Sequence, residues 1–150
     1  MKVLIQRVLE ARVNIEGVNI EGVDISSIKK GILALVGIEK EDTKEIVEKL
    51  AKKVVNLRIF PDENDKMNRS LIDIQGEMLI VSQFTLCGDC KKGTRPSFDK
   101  SAPPQIANEL YEYFITQVQS YGIKTGTGKF GAMMKVSLIN DGPVTFMLEG

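Results

Sequence analysis

The run GILALVGIE at residues 31–39 constrains the fold more than any other stretch of this chain. It is almost continuously apolar and of strand length. With no polar face to turn to solvent, it reads as a central, buried strand. A second buried strand starts after Gly76 in GEMLIVSQFTLCGDC and is expected to run to about Leu86. Between the two, EDTKEIVEKLAKKVVNLRIF has a different period. Ile46, Val47, Leu50, Val54 and Leu57 recur at helical spacing, and Asp42 or Thr43 can serve as N-cap. A second helix is expected in PPQIANELYEYFITQVQSYG, where Ile106, Leu110, Phe114 and Val118 fall four apart and Gly122 supplies the stop.

The remaining segments read as strands at residues 2–15 and 18–25, with a turn at Gly17, and near 135–139 and 144–148. The near-duplication NIEGVNIEGV is too short to signal a repeat architecture. PDENDKMNRS reads as a long polar loop, residues 87–104 as an irregular connection, and residues 125–131 as a Gly/Thr-rich loop. Strands outnumber helices without regular βαβ alternation. The expected class is therefore α+β: a mostly antiparallel, barrel-like sheet with two covering helices. No Pro/Ser-rich linker divides the chain, so residues 1–150 are expected to form a single domain.

Composition narrows the chemistry chiefly through one absence. The chain contains no histidine, which removes Ser-His-Asp and Cys-His triads, imidazole acid–base catalysis and His-ligated zinc. What is left is carboxylates, hydroxyls, amides, lysine, or groups belonging to a substrate. The opening MKVLIQRVLEARV mixes charges with apolar residues and reads as a strand, not a signal peptide. No apolar run approaches the roughly 18 residues of a membrane span, and the expected location is the cytoplasm. Twenty basic and twenty acidic residues cancel, yet residues 89–135 hold seven basic and four acidic ones. That excess is either a solvated mixed surface or a modest phosphate-contacting face.

Three motifs bear on function. Cys87-Gly88-Asp89-Cys90 has the C-x-x-C spacing of thiol redox sites, but Gly and Pro follow where a helix should lower the thiol pKa. Zinc would need about four ligands, and there is neither histidine nor a second cysteine pair. A neutral loop or a local disulfide is the other reading. In VSQFTL, the polar Ser82, Gln83 and Thr85 interrupt an apolar strand. Either one face of an edge strand is wet, or the strand lines a pocket with Gln83 as hydrogen-bonding group and Phe84 as packing surface. Thr85 is a candidate nucleophile, although no base is visible nearby in sequence. TGTGKFG at residues 125–131 fits neither phosphate-binding glycine pattern, but Phe130 can stack on a base.

Near the C-terminal end, Asn140-Asp141-Gly142-Pro143-Val144-Thr145 sets two strand-like runs around a Gly-Pro pair. A tight hairpin would be satisfied by Asp-Gly alone and does not need the proline, which removes a backbone donor.

Taken in order, QRV (6–8), NLRIF (56–60), KMN (66–68), SQFTL (82–86), RPSF (95–98), APP (102–104) and NDGPVT (140–145) resemble the D-aminoacyl-tRNA deacylases along essentially the whole chain. SQFTL and GPVT are the specific signals. The resemblance implies a cytoplasmic homodimer that hydrolyses the ester between a D-amino acid and the terminal adenosine of tRNA, a proofreading reaction. It also implies clearance of glycine mischarged onto tRNA for alanine. No cofactor or metal is implied. In such proteins a cis Gly-Pro peptide, here Gly142-Pro143, enters the partner's active site, and its carbonyl groups reject L-amino acids. Arg7 would hold that segment. Ser82, Gln83, Phe84 and Thr85 would line the pocket, with Gln83 and Thr85 the candidate catalytic pair, and Phe130 would contact adenosine. Two mechanisms compete: a Thr85 nucleophile, and a substrate-assisted route in which the ribose 2′-hydroxyl helps activate water. The lack of histidine fits the second. Cys87, Met133 and Lys135 depart from the residues usual at those positions. Outside this family, the sequence also allows a non-catalytic RNA-binding module or a thiol oxidoreductase.

Overall fold

The computed structural model describes residues 1–15 and 26–150; the expected Gly17 turn and strand 18–25 lie outside the described residues. In chain order the elements are β1 (Lys2–Ile15), β2 (Ser26–Ile28), β3 (Gly31–Gly37), α1 (Lys44–Asn56), β4 (Phe60–Pro61), β5 (Met67–Arg69), β6 (Glu77–Ser82), a 3-10 turn (Phe84–Cys87), α2 (Pro104–Ser120), β7 (Lys124–Thr127) and β8 (Met134–Glu149).

The apolar run becomes β3, placed between an antiparallel β1 and a parallel β6. β7 continues the sheet parallel to β6, while β2 and β8 pair antiparallel with β1. The result is a mixed, barrel-like sheet with two helices, each helix bridging a pair of parallel neighbours (β3 to β6, β6 to β7). Gly31 is required where β3 meets β6: a Cβ there would lie 1.8 Å from the carbonyl oxygen of Glu77.

Alternate residues of the strands feed two cores. Val3, Ile5, Ile32, Ala34, Val36, Met78 and Ile80 pack under the helices. Val8, Ala11, Val13, Leu33, Leu79 and Val81 pack inside the curve of the sheet. The change of face along β1 coincides with its register shifts around Val8, as expected when one residue is added to a pleat of period two.

Thr43 is the N-cap of α1, its side chain accepting from Ile46 N–H, and Val47, Leu50, Ala51, Val54 and Val55 are buried. In α2 the buried stripe is Ala107, Leu110, Tyr111, Phe114, Ile115 and Val118, and Ile106 is instead 48 % exposed. A strict four-residue spacing overshoots the 3.6-residue turn, so the first member of the series drifts off the face. Gly122 follows at φ +77°. No helix among the described residues is long and apolar enough to cross a membrane.

Three segments differ from expectation. PDENDKMNRS contains β5, which pairs back on β4 in a small hairpin. There the Asp62 carboxylate accepts from the N–H groups of Asn64 and Lys66 and from Asn68 Nδ2. β7 takes the first part of the Gly/Thr-rich stretch because Gly126 lets β2 approach: its Cβ would fall 2.4 Å from Ser26 Oγ. β6 stops at Ser82, four residues short of Leu86, and the chain winds into the 3-10 turn.

Candidate active site

A cavity of about 510 Å³ opens where β6 ends, a size suited to a small-molecule ligand or one end of a larger one. Val36 and Ile38 follow from β3, and Ser82, Gln83 and Phe84 from the end of β6. Ala107 and Tyr111 come from α2, and Phe130 and Met133 from the loop before β8. The structure thus brings Ser82, Gln83, Phe84 and Phe130 around one space. Thr85 is not among the lining residues; it stands exposed one step further along the turn. Gln83 Nε2 donates to Thr85 Oγ1 at 2.5 Å. An amide donor cannot take a proton from that hydroxyl, so this contact orients Thr85 without activating it.

None of the lining residues is an aspartate, glutamate, lysine, arginine or cysteine. Among the described residues, Tyr111 is the one ionisable side chain in the wall. It is buried, donates from its hydroxyl to Ile80 O at 2.8 Å, and burial holds its pKa well above the ordinary value. Its ring meets Phe130 at 6.0 Å between centroids. Nothing in the motif reading singled Tyr111 out. The available signal is a phenol within the apolar stripe of a helix, which needs a buried acceptor.

The Ser82 and Gln83 backbone positions follow from how β6 ends. Gln83 N–H still reaches Val36 O at 2.7 Å, and the 3-10 turn then closes with Leu86 N–H on Gln83 O. Among the described residues, the N–H groups of Phe84 and Thr85, in the first turn, have no backbone acceptor outside the turn itself. Cys87 closes the turn, buried, with Sγ donating to Ile38 O at 3.5 Å; burial pushes its thiol pKa up. Cys90 is exposed, and both cysteines are free. Cys87 thus has a raised pKa where a redox thiol needs a lowered one, and the C-x-x-C pair is not a local disulfide. Among the described residues no three candidate ligands cluster as a metal site would need.

Gly142 and Pro143 lie elsewhere, and they do not form a hairpin. β8 runs along β1 on both sides of them: Thr145 pairs with Gln6 and Asn140 with Val8, so residues 141–144 stand opposite Arg7 alone. This is an outward bulge within one edge strand. The Gly142-Pro143 bond is cis, and both residues are exposed.

Arg7 braces the base of the bulge. Its Nε donates to Asp141 O at 3.0 Å and lies 3.0 Å from the Asp141 carboxylate, while Nη1 donates to Ile59 O at 2.6 Å. Asn140 Nδ2 donates to Arg7 O and Val144 O, tying the two ends of the bulge together. The NLRIF and KMN motifs serve the same brace. Arg58 holds Asn68, and the segment they fix, just before β4, presents Ile59 O to Arg7. Neither Arg7 nor the Gly-Pro pair lines the cavity of its own chain.

The family model for D-Tyr-tRNA(Tyr) deacylase matches residues 4–149. The chain belongs to that family. Curated relatives named D-aminoacyl-tRNA deacylase include one from Thermosipho africanus, 55 % identical over 99 % of this chain and 97 % of its own length. Another, from Haemophilus influenzae, is 58 % identical and covers 99 % of both. A solved structure described as a c-Myc DNA unwinding element binding protein superposes with a TM-score of 0.90 at 41 % identity, covering 100 % of this chain and 99 % of that one. A probable eukaryotic D-amino acid tRNA deacylase shares the fold with a TM-score of 0.85 at 16 % identity, over 98 % and 97 % of the two chains. The deacylase resemblance read from SQFTL and GPVT is therefore the family to which the chain belongs.

Proposed function

We propose that the chain hydrolyses the ester bond of D-aminoacyl-tRNA, releasing the D-amino acid and tRNA, and also clears glycine mischarged onto tRNA for alanine. The observation that carries the mechanism is the cavity wall: among the described residues, and apart from Tyr111, whose pKa is raised, it offers no ionisable side chain. Catalysis by such a site is catalysis by placement. Phe130 and Phe84 take the adenosine and amino-acid portions, and Gln83 and Ser82 hydrogen-bond the substrate. The N–H groups of Phe84 and Thr85 face the oxyanion that develops on the ester carbonyl. The ribose 2′-hydroxyl then assists the attacking water, a role no side chain of the cavity can fill.

Chirality is set from outside. Gly142 and Pro143 are exposed and stand apart from their own chain's cavity, which supports their insertion into that of a second copy. Among the described residues the outer edge of β8 is unpaired along its length, and Leu9, Ile139, Phe146 and Met147 are exposed beside the bulge. An open edge with apolar residues on it favours a partner, here a second copy in a cytoplasmic homodimer. In that arrangement the carbonyl groups of Gly142 and Pro143 face the α-carbon of the substrate and exclude an L side chain.

The direct test is release of amino acid from D-Tyr-tRNA and L-Tyr-tRNA. Cleavage of the D form alone is expected; equal cleavage of both, or of neither, overturns the reading. Binding of tRNA without cleavage of either ester would instead make the chain a non-catalytic RNA-binding module.

A further inference from the structure

Lys91, Lys92, Arg95 and Lys100 project from a single exposed loop, residues 88–101, around a depression of about 380 Å³ that they line with Asp89, Ser97 and Asp99. Some surface cations are matched by neighbouring carboxylates, as Lys124 is by Glu77 and Lys44 by Glu109. These four have none: among the described residues no carboxylate oxygen comes within 4.0 Å of their side-chain nitrogens. The two acidic residues of the loop are occupied in shaping it. Asp89 Oδ1 accepts from Lys91 N–H, and Asp99 Oδ2 accepts from Ser97 Oγ. Asp89 and Ser97 also exchange backbone hydrogen bonds at 2.7 and 3.0 Å, which pins the loop's two arms together. A braced loop that gathers four unmatched cations is organised to meet an anion that is not part of the fold.

Its position indicates which anion. Phe98, 38 % exposed, packs its ring 5.1 Å from that of Phe84, which is 60 % exposed and lines the cavity. Two residues beyond Phe98, Lys100 O accepts from Lys40 N–H, and the chain passes directly into Ser101 and Ala102 of the cavity wall. With about 3.8 Å between successive Cα atoms, Lys100 stands next to the cavity wall, and Lys91, Lys92 and Arg95 line the same depression as Lys100. A nucleoside held in the cavity carries its 5′-phosphate and the phosphodiesters that follow out through that mouth.

We propose that loop 88–101 is a phosphate-binding strip for the single strand leading into the cavity. Lys91, Lys92, Arg95 and Lys100 engage its successive phosphodiesters, and the Phe84–Phe98 pair offers a face on which a base can stack. The proposal rests on the deacylase reading for the identity of the strand, the 3′ end of an aminoacylated tRNA. The site's selectivity is thereby divided: the cavity reads the aminoacyl-adenosine, and the loop adds affinity that depends on charge and not on sequence.

The experiment compares wild type with the triple variant Lys91→Gln/Lys92→Gln/Arg95→Gln, all at exposed positions, on two substrates and in one binding assay. The substrates are D-Tyr-tRNA and D-tyrosyl-adenosine, which has no phosphate. With D-Tyr-tRNA at about 0.1 M KCl, KM is expected to rise about tenfold or more while kcat stays within about twofold. The slope of log(kcat/KM) against log[KCl] should flatten by about two, from roughly 0.7 per single-strand phosphate contact. With D-tyrosyl-adenosine no change is expected. Unchanged KM for D-Tyr-tRNA overturns the proposal, and so does an equal loss on both substrates, which would mean that the loop only shapes the cavity. Fluorescence anisotropy with an uncharged tRNA acceptor minihelix judges the strip separately from catalysis. Its Kd is expected to weaken about tenfold or more in the variant, and an unchanged Kd overturns the proposal. If wild type cleaves neither ester, the deacylase reading falls while the minihelix measurement still decides the strip.

Discussion

Residues 82–87 and 140–145 both interrupt strands of one sheet, in opposite senses. At the first, β6 stops, the chain winds inward, and the side chains of Ser82, Gln83 and Phe84 join a cavity closed by helix α2. At the second, β8 continues past the interruption, and of the four residues opposite Arg7, Gly142 and Pro143 are turned outward while Val144 stays in the core. The concave region has walls and backbone donors but no ionisable catalyst. The convex region has a rigid brace and no cavity of its own. Each is incomplete, and the incompleteness is complementary, which is why the proposed reaction needs two copies of the chain.

The comparison breaks most sharply at Gly142. A Cβ there would lie 2.0 Å from Asn140 Oδ1. To make room, Asn140 must release its bonds to Arg7 O and Val144 O, and the bulge loses its tie. Gly142→Ala is expected to lower kcat/KM on D-Tyr-tRNA by about a hundredfold, the scale of a reacting geometry displaced by about 1 Å. The ratio of D to L cleavage should fall as well. Activity should return in part when this variant is mixed with a Gln83→Ala variant, because a mixed dimer holds one intact cavity facing one intact bulge. Full activity of Gly142→Ala would mean that the convex region takes no part.

Arg7 comes next. Its side chain is only 12 % exposed and makes charge-assisted bonds to Asp141 and Ile59. Arg7→Ala leaves the Asp141 carboxylate and two carbonyl groups short of a donor, at about 1.5–3 kcal/mol for a hydrogen bond to a charged group. A fall in Tm of several degrees and a roughly tenfold loss of D-Tyr-tRNA turnover are expected. Arg7→Lys should recover little, since one ammonium cannot reach two acceptors that the guanidinium addresses from separate nitrogens. Full rescue by lysine would reduce Arg7 to a point charge.

At the concave region the expected effects are small. Thr85→Ala removes a hydroxyl that only accepts from Gln83, so turnover is expected to stay within about threefold of wild type. Loss of turnover with tRNA binding intact would restore the Thr85 nucleophile. Cys87→Ser, at a buried thiol of raised pKa, is expected to leave turnover within the same range.

These regions differed in how much of them could be read from sequence. The buried strand β3 and both helices follow from hydrophobic pattern, which burial enforces. The end of β6 did not: Ser82, Gln83 and Thr85 are polar in a strand and polar in a turn, so composition could not locate the boundary. The bulge was legible as an oddity, because a proline within a paired strand needs a reason. Its direction depends on β1, more than 130 residues away in sequence, and local pattern carries no such information. Tyr111 was hidden for a related reason. In a helical stripe it reads as core, and only the fold sets its hydroxyl beneath the cavity.

The smallest expected effect separates the two ends of β6. At the cavity end no carboxylate lines the wall, whereas at the other end Glu77 accepts from Lys124 Nζ at 2.8 Å and from Lys29 N–H at 2.9 Å. These bonds, the Lys124 contact first, hold the Glu77 carboxyl below its ordinary 4.5. A carboxylate whose folded pKa is depressed contributes stability that is present above the unfolded value. That contribution is lost as pH falls from about 4.5 through the lower folded value. Lys124 is mostly exposed, so solvent screens the pair and the contribution is small. Glu77→Gln is expected to lower Tm at pH 7 by about 1–4 °C. It should also flatten the decline of Tm below pH 4.5, since the variant has no proton to take up there. Turnover at pH 7 should be unaffected because the cavity lies at the far end of the strand. A wild-type Tm that rises on acidification through this window would reverse the sign and remove Glu77 as the anchor of β6 against β7 and Lys29.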